Sequence, residues 1–337
     1  MSLTDRCNFR CFYCLPNGEP TLAHKEKVLS YEELEFVCEI FVELGIEKIR
    51  LTGGEPLLRK NIEVLIEKLA RLKKPKSQAR NSAFENLRSS VLGRSRLIDL
   101  ALTTNGFLLD EKRAFELKNV GLDRVTISLD SLERDKFTAM TGVDALEKAL
   151  GAIEAAKKAN LQPIKINAVI VRGYNEREVI ALAAFARRHA LQMRFIEFMP
   201  LDAGHEWRRE MVVSGREIFN QINQEFPLEK IKSERGPETA LRYNFADGAP
   251  GEIGIIAPVT EPFCGACSRI RLTADGQIRT CLFSTTEHNL RDLIRSKAAR
   301  GEIIDFIETI VYQKEPSHFI DKIDFKTASR SMSFIGG

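Results

Sequence analysis

The sequence predicts an α/β fold in which helices alternate with the strands of a parallel sheet or barrel, followed by a smaller C-terminal region. Apolar strand-like runs near 98–104, 124–129, 163–171 and 192–199 alternate with helical patterns near 61–73, 110–120, 145–160 and 175–190. After Met199-Pro200 the alternation ends, and short strands and paired cysteines follow. Repeated βα units place a functional site at the C-terminal ends of the strands.

The composition is that of a soluble globular chain. Of 337 residues, 44% are hydrophobic and 29% are charged, and the net charge of +3 gives no reason to expect general binding to nucleic acid or membrane. No run of 18 apolar residues and no secretory signal pattern occurs, so we expect an intracellular protein, cytoplasmic in a bacterium or mitochondrial in a eukaryote.

The first element is a loop with three cysteines, Cys7-Asn-Phe-Arg-Cys11-Phe-Tyr-Cys14. One short loop can wrap three thiolates around a single centre, and three protein ligands leave one position open. A structural zinc normally takes four protein ligands. The spacing therefore favours a [4Fe–4S] cluster with one iron free to bind a small molecule, and the alternatives are reduced thiols or a zinc knuckle completed by His24.

The next elements are a helix and a strand. A capping box from Ser30 to Glu33 opens the helix, an apolar face that includes Cys38 continues it, and Gly45 ends it. A strand over 48–52 then runs into the Gly-Gly-Glu-Pro sequence at 53–56, which offers close backbone approach and a carboxylate for an ammonium group, or simply a tight turn.

A basic segment interrupts the alternation at residues 73–97. It holds seven Lys or Arg residues against one acid, Glu85, and has little periodicity. We expect a solvated insertion between a helix and a strand, on the rim opposite the functional site.

The C-terminal region begins with a second capping box, Ser214 to Glu217, and a helix to about residue 226. Short strands are predicted near 241–245 and 253–257, and helices near 290–314. The turn at Asp275-Gly276 predicts a hairpin that brings Cys281 back beside Cys264 and Cys267. These three cysteines predict a second cluster or, with His288 as a fourth ligand, a zinc site; their spacing does not decide between the two.

Basic residues on predicted strands are candidate contacts for an anion. Arg50 and Lys165 each lie on an otherwise apolar strand, and Arg269 and Arg271 share one strand face beside the second cysteine group. Cations in such places need a partner, which a triphosphate would supply.

The chain resembles the GTP 3′,8-cyclase family of the radical S-adenosylmethionine superfamily. The superfamily's signature is the Cys-x3-Cys-x2-Cys loop with an aromatic residue before its last cysteine, and the resemblance runs from residue 2 to residue 337 apart from the basic insertion. The motifs that carry it are Thr4 to Cys11, Arg50 to Pro56, Thr103-Thr-Asn-Gly106, Ser128-Leu-Asp-Ser131, Phe195 to Pro200, Phe263 to Gly276 and the terminal Gly336-Gly337.

The resemblance implies an incomplete (β/α)6 TIM-like barrel over 1–200 and a C-terminal α+β domain over 201–337 that carries a second iron–sulfur cluster. It implies a lyase with two [4Fe–4S] clusters and S-adenosylmethionine that converts GTP to 3′,8-cyclo-7,8-dihydro-GTP, the first step of molybdenum cofactor biosynthesis. A 5′-deoxyadenosyl radical would take hydrogen from ribose C3′, and the carbon radical would attack C8 of guanine. The terminal glycines would reach into the active site.

The resemblance also implies the site residues. Cys7, Cys11 and Cys14 would hold the first cluster, and Cys264, Cys267 and Cys281 would hold the second, whose open iron would bind guanine. The expected cofactor contacts are Tyr13, Gly54, Ser128 and Met199. The expected GTP contacts are Arg50, Thr103, Lys165, Arg269, Ile270 and Arg271.

One position departs from the family. An arginine seven residues before the first cysteine contacts GTP in the family, and here that place would precede Met1. We therefore expect a misassigned start, a truncated form or weakened triphosphate binding.

The expected partners are a flavodoxin-type or ferredoxin-type electron donor and cyclic pyranopterin monophosphate synthase as the next enzyme, with a homodimer left open. The alternatives are a radical enzyme of the peptide maturase type and an inactive iron–sulfur or zinc protein.

Overall fold

A computed structural model describes residues 1–15, 22–73, 96–201, 207–232, 238–320, 322, 325, 327 and 330–336. Most of the basic insertion and the last glycine, Gly337, lie outside the described residues. The insertion follows a helix and precedes a strand, as the sequence predicts. None of the helices within the described ranges is long and apolar enough to cross a membrane.

One eight-stranded sheet organises the fold. Its first five strands, all parallel and in chain order, are β1 (Lys48–Leu51), β2 (Asp99–Thr104), β3 (Arg124–Ser128), β4 (Lys165–Ile170) and β5 (Gln192–Glu197). Three more strands are β6 (Leu228–Lys230), β7 (Leu241–Phe245) and β8 (Glu252–Ile256). Strand β8 pairs in parallel with β5, and β7 and β6 continue antiparallel. The predicted α/β class with a mainly parallel sheet is confirmed.

The helices of the βα region form where caps and apolar periodicity predict them. They are α1 (Tyr31–Glu43), α2 (Ile62–Arg71), α3 (Glu111–Asn119), α4 (Arg134–Thr141), α5 (Leu146–Lys158) and α6 (Val179–His189). The capping box at Ser30 is confirmed, and Cys38 is fully buried on the inner face of α1. Helix α4 is the exception and is not predicted from the sequence, because it has only eight residues and its N-cap residue, Glu133, is not one of the usual capping residues.

The C-terminal region adds four helices: α7 (Gly215–Glu225), with its predicted capping box, α8 (Leu290–Arg295), α9 (Arg300–Tyr312) and α10 (Met332–Ile335). The predicted boundary at residue 200 stays a prediction, and the large sheet takes strands from both sides of it.

A second, three-stranded antiparallel sheet contains the predicted hairpin. Its strands are β9 (Arg271–Leu272), β10 (Gln277–Arg279) and β11 (His288–Asn289), with the turn at Asp275-Gly276. Residues 1–3 lie between the two sheets: the Ser2 N–H donates to the Leu272 carbonyl and the Leu3 N–H donates to the Thr52 carbonyl, each at 2.8 Å.

Candidate functional site

The first cysteine group is a compact loop at the C-terminal ends of the strands. The Cys14 and Leu15 N–H groups both donate to the Cys11 carbonyl, at 3.0 and 2.8 Å, and this turn folds Cys14 back toward Cys11. The Phe9 N–H donates to the Cys7 sulfur at 3.4 Å. The thiols lie close enough to affect one another's titration.

The chemistry of these thiols fits an iron–sulfur cluster. Burial is the main cause that raises the pKa of Cys7 to about 11 and that of Cys14 to about 12. Such thiols ionise only when a metal centre compensates the charge. Within the described ranges, no three His, Cys, Asp or Glu side chains are placed to hold a single metal ion. The zinc alternatives with His24 and with His288 stay predictions.

Three of the four candidate cofactor residues lie near this loop and the adjoining strand ends. The Tyr13 hydroxyl donates to the buried Asp130 carboxylate at 2.5 Å. Ser128 is the last residue of β3, two residues before Asp130. Met199 follows β5 and packs against the cluster of Leu201, Val212, Val259, Phe283 and Ile320. Their contact with a cofactor remains a prediction.

Gly54 has a structural role of its own. A Cβ at this position would clash with the Arg6 carbonyl, because the backbone of residues 4–6 passes directly over it. The neighbouring Glu55 is fully buried and accepts from the Thr104 hydroxyl and the Asn105 N–H, each at 2.8 Å. The Gly-Gly-Glu-Pro turn therefore fixes the segment that leads into the first cysteine loop.

A cluster of buried and half-buried cations extends from the strands of the large sheet to the second cysteine group. It contains the four predicted basic residues and two that sequence reasoning missed, Arg124 on β3 and Arg194 on β5. Burial and the neighbouring cations lower the pKa of Lys165 to about 8, of Arg194 to about 9, and of Arg50 and Arg271 to about 10. Across the described chain, no salt bridge involves Arg50, Lys165, Arg194, Arg269 or Arg271.

Unsatisfied polar atoms lie on the same strands. Thr103 Oγ1, Arg124 Nη1, Asn167 Oδ1 and Arg194 Nε are buried and have no hydrogen-bond partner among the described residues. Thr103 lies in register with Thr126, which pairs with Lys165, and Asn167 lies in register with Arg194. Buried polar atoms are normally hydrogen-bonded, so this arrangement suits a polar, anionic ligand.

The Arg194 side chain packs against a glycine on the next strand of the sheet. Gly254 on β8 is its register partner, and a Cβ there would lie 3.1 Å from Arg194 Cγ. The Arg194 guanidinium donates to Thr126 Oγ1 at 3.2 Å, and the side chain is 8% exposed. A charged residue in an apolar strand was a usable sequence signal, the same one that identified Arg50 and Lys165.

The second cysteine group lies beside the arginine strand. The Cys267 N–H donates to the Cys264 carbonyl at 3.0 Å. Although burial alone would raise the pKa of the Cys267 thiol, the backbone N–H and guanidinium of Arg269 lower it below the ordinary value. Cys281 follows β10 and is close enough to Arg271 to favour its charged form. Ile270, between the two arginines, is half-buried against the main core.

Gly336, near the end of the chain, reaches this region. Arg271 Nη1 donates to the Gly336 carbonyl, and a Cβ on Gly336 would lie 2.9 Å from Thr52 Cγ2. Gly336 has a φ of 85°, a backbone conformation that glycine adopts freely.

Comparisons with known proteins show the family to which the chain belongs. A family model described as Radical SAM superfamily matches residues 1–186, and one described as Molybdenum Cofactor Synthesis C matches residues 191–320. Relatives named GTP 3′,8-cyclase occur in Corynebacterium glutamicum, at 42% identity, and in Streptomyces coelicolor, at 41%. Both alignments cover 100% of this chain, and they cover 86% and 92% of the relatives.

Solved structures support the fold. Native anSMEcpe with bound AdoMet aligns with a TM-score of 0.57 at 18% identity, over 96% of this chain and 82% of that one. Streptococcus suis SuiB bound to S-adenosylmethionine aligns with a TM-score of 0.57 at 13% identity, over 89% of this chain and 64% of that one. Taken with the full-length sequence matches, these findings show that the chain belongs to the GTP 3′,8-cyclase family of the radical S-adenosylmethionine superfamily.

Proposed function

We propose that this chain is a lyase that converts GTP to 3′,8-cyclo-7,8-dihydro-GTP, the first step of molybdenum cofactor biosynthesis. The observation that carries the proposal is the group of buried and half-buried cations without carboxylate partners, Arg50, Lys165, Arg194, Arg269 and Arg271, which extends from the strands of the large sheet to the second cysteine group. Buried cations without carboxylate partners are unfavourable unless an anionic ligand binds them. A triphosphate carries enough negative charge to neutralise several of them.

Cys7, Cys11 and Cys14 would hold the first [4Fe–4S] cluster, which with bound S-adenosylmethionine supplies the 5′-deoxyadenosyl radical. The chain's own residues keep the reactants in place and away from water. Tyr13, Gly54, Ser128 and Met199 are the proposed contacts to the cofactor.

The substrate would bind across the interior of the sheet. Arg50, Lys165 and Arg194 would bind the phosphates, because their charges converge and lack partners. Thr103 and Asn167 would supply hydrogen bonds, since each has a buried oxygen without a partner. Arg269, Ile270 and Arg271 would hold the end of the nucleotide that lies toward Cys264, Cys267 and Cys281, the proposed ligands of a second [4Fe–4S] cluster.

Two further proposals concern partners. A one-electron donor of the flavodoxin or ferredoxin type would reduce the first cluster, and exposed Arg6 and Arg10 flank its cysteine loop. Cyclic pyranopterin monophosphate synthase would consume the product. A homodimer is one assembly to test by light scattering.

The test is anaerobic turnover after cluster reconstitution, with a strong reductant, S-adenosylmethionine and either GTP or ATP. We expect about two clusters per chain, and 5′-deoxyadenosine together with a GTP-derived isomer of the same mass, with GTP only. The Cys11→Ser variant, which lacks one ligand of the first cluster, should form neither product. If 5′-deoxyadenosine formed with no GTP isomer, the substrate would be wrong and an enzyme of the peptide maturase type would gain support.

A further inference from the structure

The C-terminal segment, residues 330–336, contacts both halves of the candidate site. The Ser333 backbone N–H lies close enough to the Cys14 thiol, in the first cysteine loop, to favour its charged form. The Gly336 carbonyl accepts from Arg271 on the hairpin strand β9. One short segment thus touches a proposed cluster ligand and a proposed substrate ligand.

This segment cannot hold its position by its own secondary structure. Helix α10 has four residues, and a single helical turn is unstable in isolation. Phe334 and Ile335 are 8% and 1% exposed, so apolar packing contributes to its docking. Apolar packing alone tolerates small sliding movements, whereas the hydrogen bond to Arg271 and the approach to Cys14 require a fixed position.

Arg330 supplies a directional anchor. Its Nη1 donates to both carboxylate oxygens of Asp275 at 3.1 Å, and its Nη2 lies 3.1 Å from Glu287 Oε2. The guanidinium also lies over the Phe334 ring, 4.2 Å from the ring centroid. The Asp275 and Glu287 side chains are only 7% and 17% exposed, so solvent screens these pairs weakly.

The two acceptors of Arg330 belong to the three-stranded sheet that carries Arg271: Asp275 lies in its hairpin and Glu287 directly precedes β11. Asp275 is in the β9–β10 turn, and its carboxylate also accepts from Thr273 Oγ1 at 2.6 Å. Glu287 pairs in addition with Arg279, which is on β10 and almost fully buried, at 2.7 Å. Arg330 therefore ties the C-terminal segment to the rigid part of the hairpin.

We propose that Arg330 is a positioning residue that sets the C-terminal segment, so that Ser333 meets Cys14 and Gly336 meets Arg271. The roles of Cys14 and Arg271 rest on the proposed function. Without this anchor the segment detaches transiently and the substrate end of the site loosens. The cofactor is then cleaved without productive transfer to the nucleotide. Loss of the Ser333 N–H from beside the Cys14 sulfur also lowers the midpoint potential of the first cluster, because N–H dipoles near ligand sulfurs favour the reduced state.

The test compares reconstituted wild type with Arg330→Ala, Arg330→Lys and a control, Arg134→Ala. Arg134, the first residue of α4, forms an exposed ion pair with Asp144, which follows the helix. Amide hydrogen exchange in residues 331–336 should be about tenfold faster in Arg330→Ala, because this substitution removes two ion pairs and one cation–π interaction. Arg330→Lys keeps the positive charge but lacks the planar guanidinium that contacts both carboxylates, so its exchange rate should be intermediate. The control should match the wild type.

Two functional readouts accompany the exchange measurement. The ratio of 5′-deoxyadenosine to GTP-derived product should rise several-fold in Arg330→Ala, and the midpoint potential of the first cluster, followed by electron paramagnetic resonance, should fall. Exchange and product ratio equal to those of the control would overturn the proposal. If the wild type itself forms no GTP product, the proposed function fails, while the exchange comparison still decides whether Arg330 anchors the segment.

Discussion

Replacing Arg194 with methionine should make the ligand-free protein more stable and the GTP complex weaker. Burial is the main cause that lowers the pKa of Arg194 from 12.5 to about 9, a shift equivalent to roughly 5 kcal/mol against the charged form. Structural relaxation makes the actual cost of the buried charge smaller than this value. The variant also loses the hydrogen bond to Thr126, which reduces the expected stabilisation by about 1 kcal/mol more. We expect the free energy of unfolding to rise by about 1 to 2 kcal/mol.

The assay is thermal unfolding of reconstituted Arg194→Met under argon, with and without GTP, together with calorimetric binding of GTP. Without nucleotide, the midpoint should rise by about 2 to 4 °C. The dissociation constant for GTP should increase about 30-fold or more, because methionine cannot form the desolvated ion pair with a phosphate. Arg216→Met is the control, since Arg216 on α7 is 81% exposed and lies 3.9 Å from Glu261, so its replacement should change neither quantity appreciably.

The sign of the change in stability shows whether Arg194 is held for an anionic ligand or for the fold itself. If Arg194→Met unfolded at a lower temperature than the wild type and bound GTP normally, Arg194 would be a structural residue that is satisfied by its own surroundings. The interior cations would then not mark an anion site.

Three other predictions each depend on one residue. Burial lowers the pKa of Lys165 to about 8, so its ammonium loses its proton between pH 7 and pH 9 in the free protein. Calorimetry should therefore show the affinity for GTP falling up to tenfold over this pH range. In Lys165→Met, this contribution to the pH dependence of GTP binding should be absent. Glu197 is fully buried and accepts from three backbone N–H groups. Glu197→Gln should therefore lower the free energy of unfolding by about 2 to 4 kcal/mol, whereas replacement of the exposed Glu225 by Gln should not. Equal denaturation midpoints for the two variants would contradict this. Gly54→Ala should lower the free energy of unfolding by about 3 kcal/mol or more and should reduce the iron bound per chain. Gly151 has open space around it, so Gly151→Ala should bind iron normally.

Local sequence signals predicted most elements of the fold. Ser30 and Ser214 cap their helices as expected, and Asp275-Gly276 forms the hairpin turn. These elements depend on neighbouring residues in the chain. The pairing of β5 with β8 could not be predicted, because some 55 intervening residues hold a helix and two antiparallel strands whose docking depends on tertiary packing.

The candidate site was predictable in part. The cysteine spacing and Arg50 were visible in the sequence, and Arg194 carried the same signal without being identified. Asn167 gave no such signal, since an asparagine on a strand is unremarkable until its oxygen proves to be buried and unpaired. The anchoring role of Arg330 depends on its pairing with Asp275 and Glu287, about 45 to 55 residues away, which only the folded chain reveals.

The placement of residues 1–3 between the two sheets has a consequence for how the chain folds during synthesis. Leu3 can pair with Thr52 early, but the other edge of this segment waits for Leu272. At ribosomal rates of about 5 to 20 residues per second, that partner emerges roughly 15 to 50 s later. During this interval the large sheet carries an unprotected edge, the kind of surface on which nascent chains associate wrongly. Heterologous expression should therefore benefit from slower translation or from chaperones that shield strand edges.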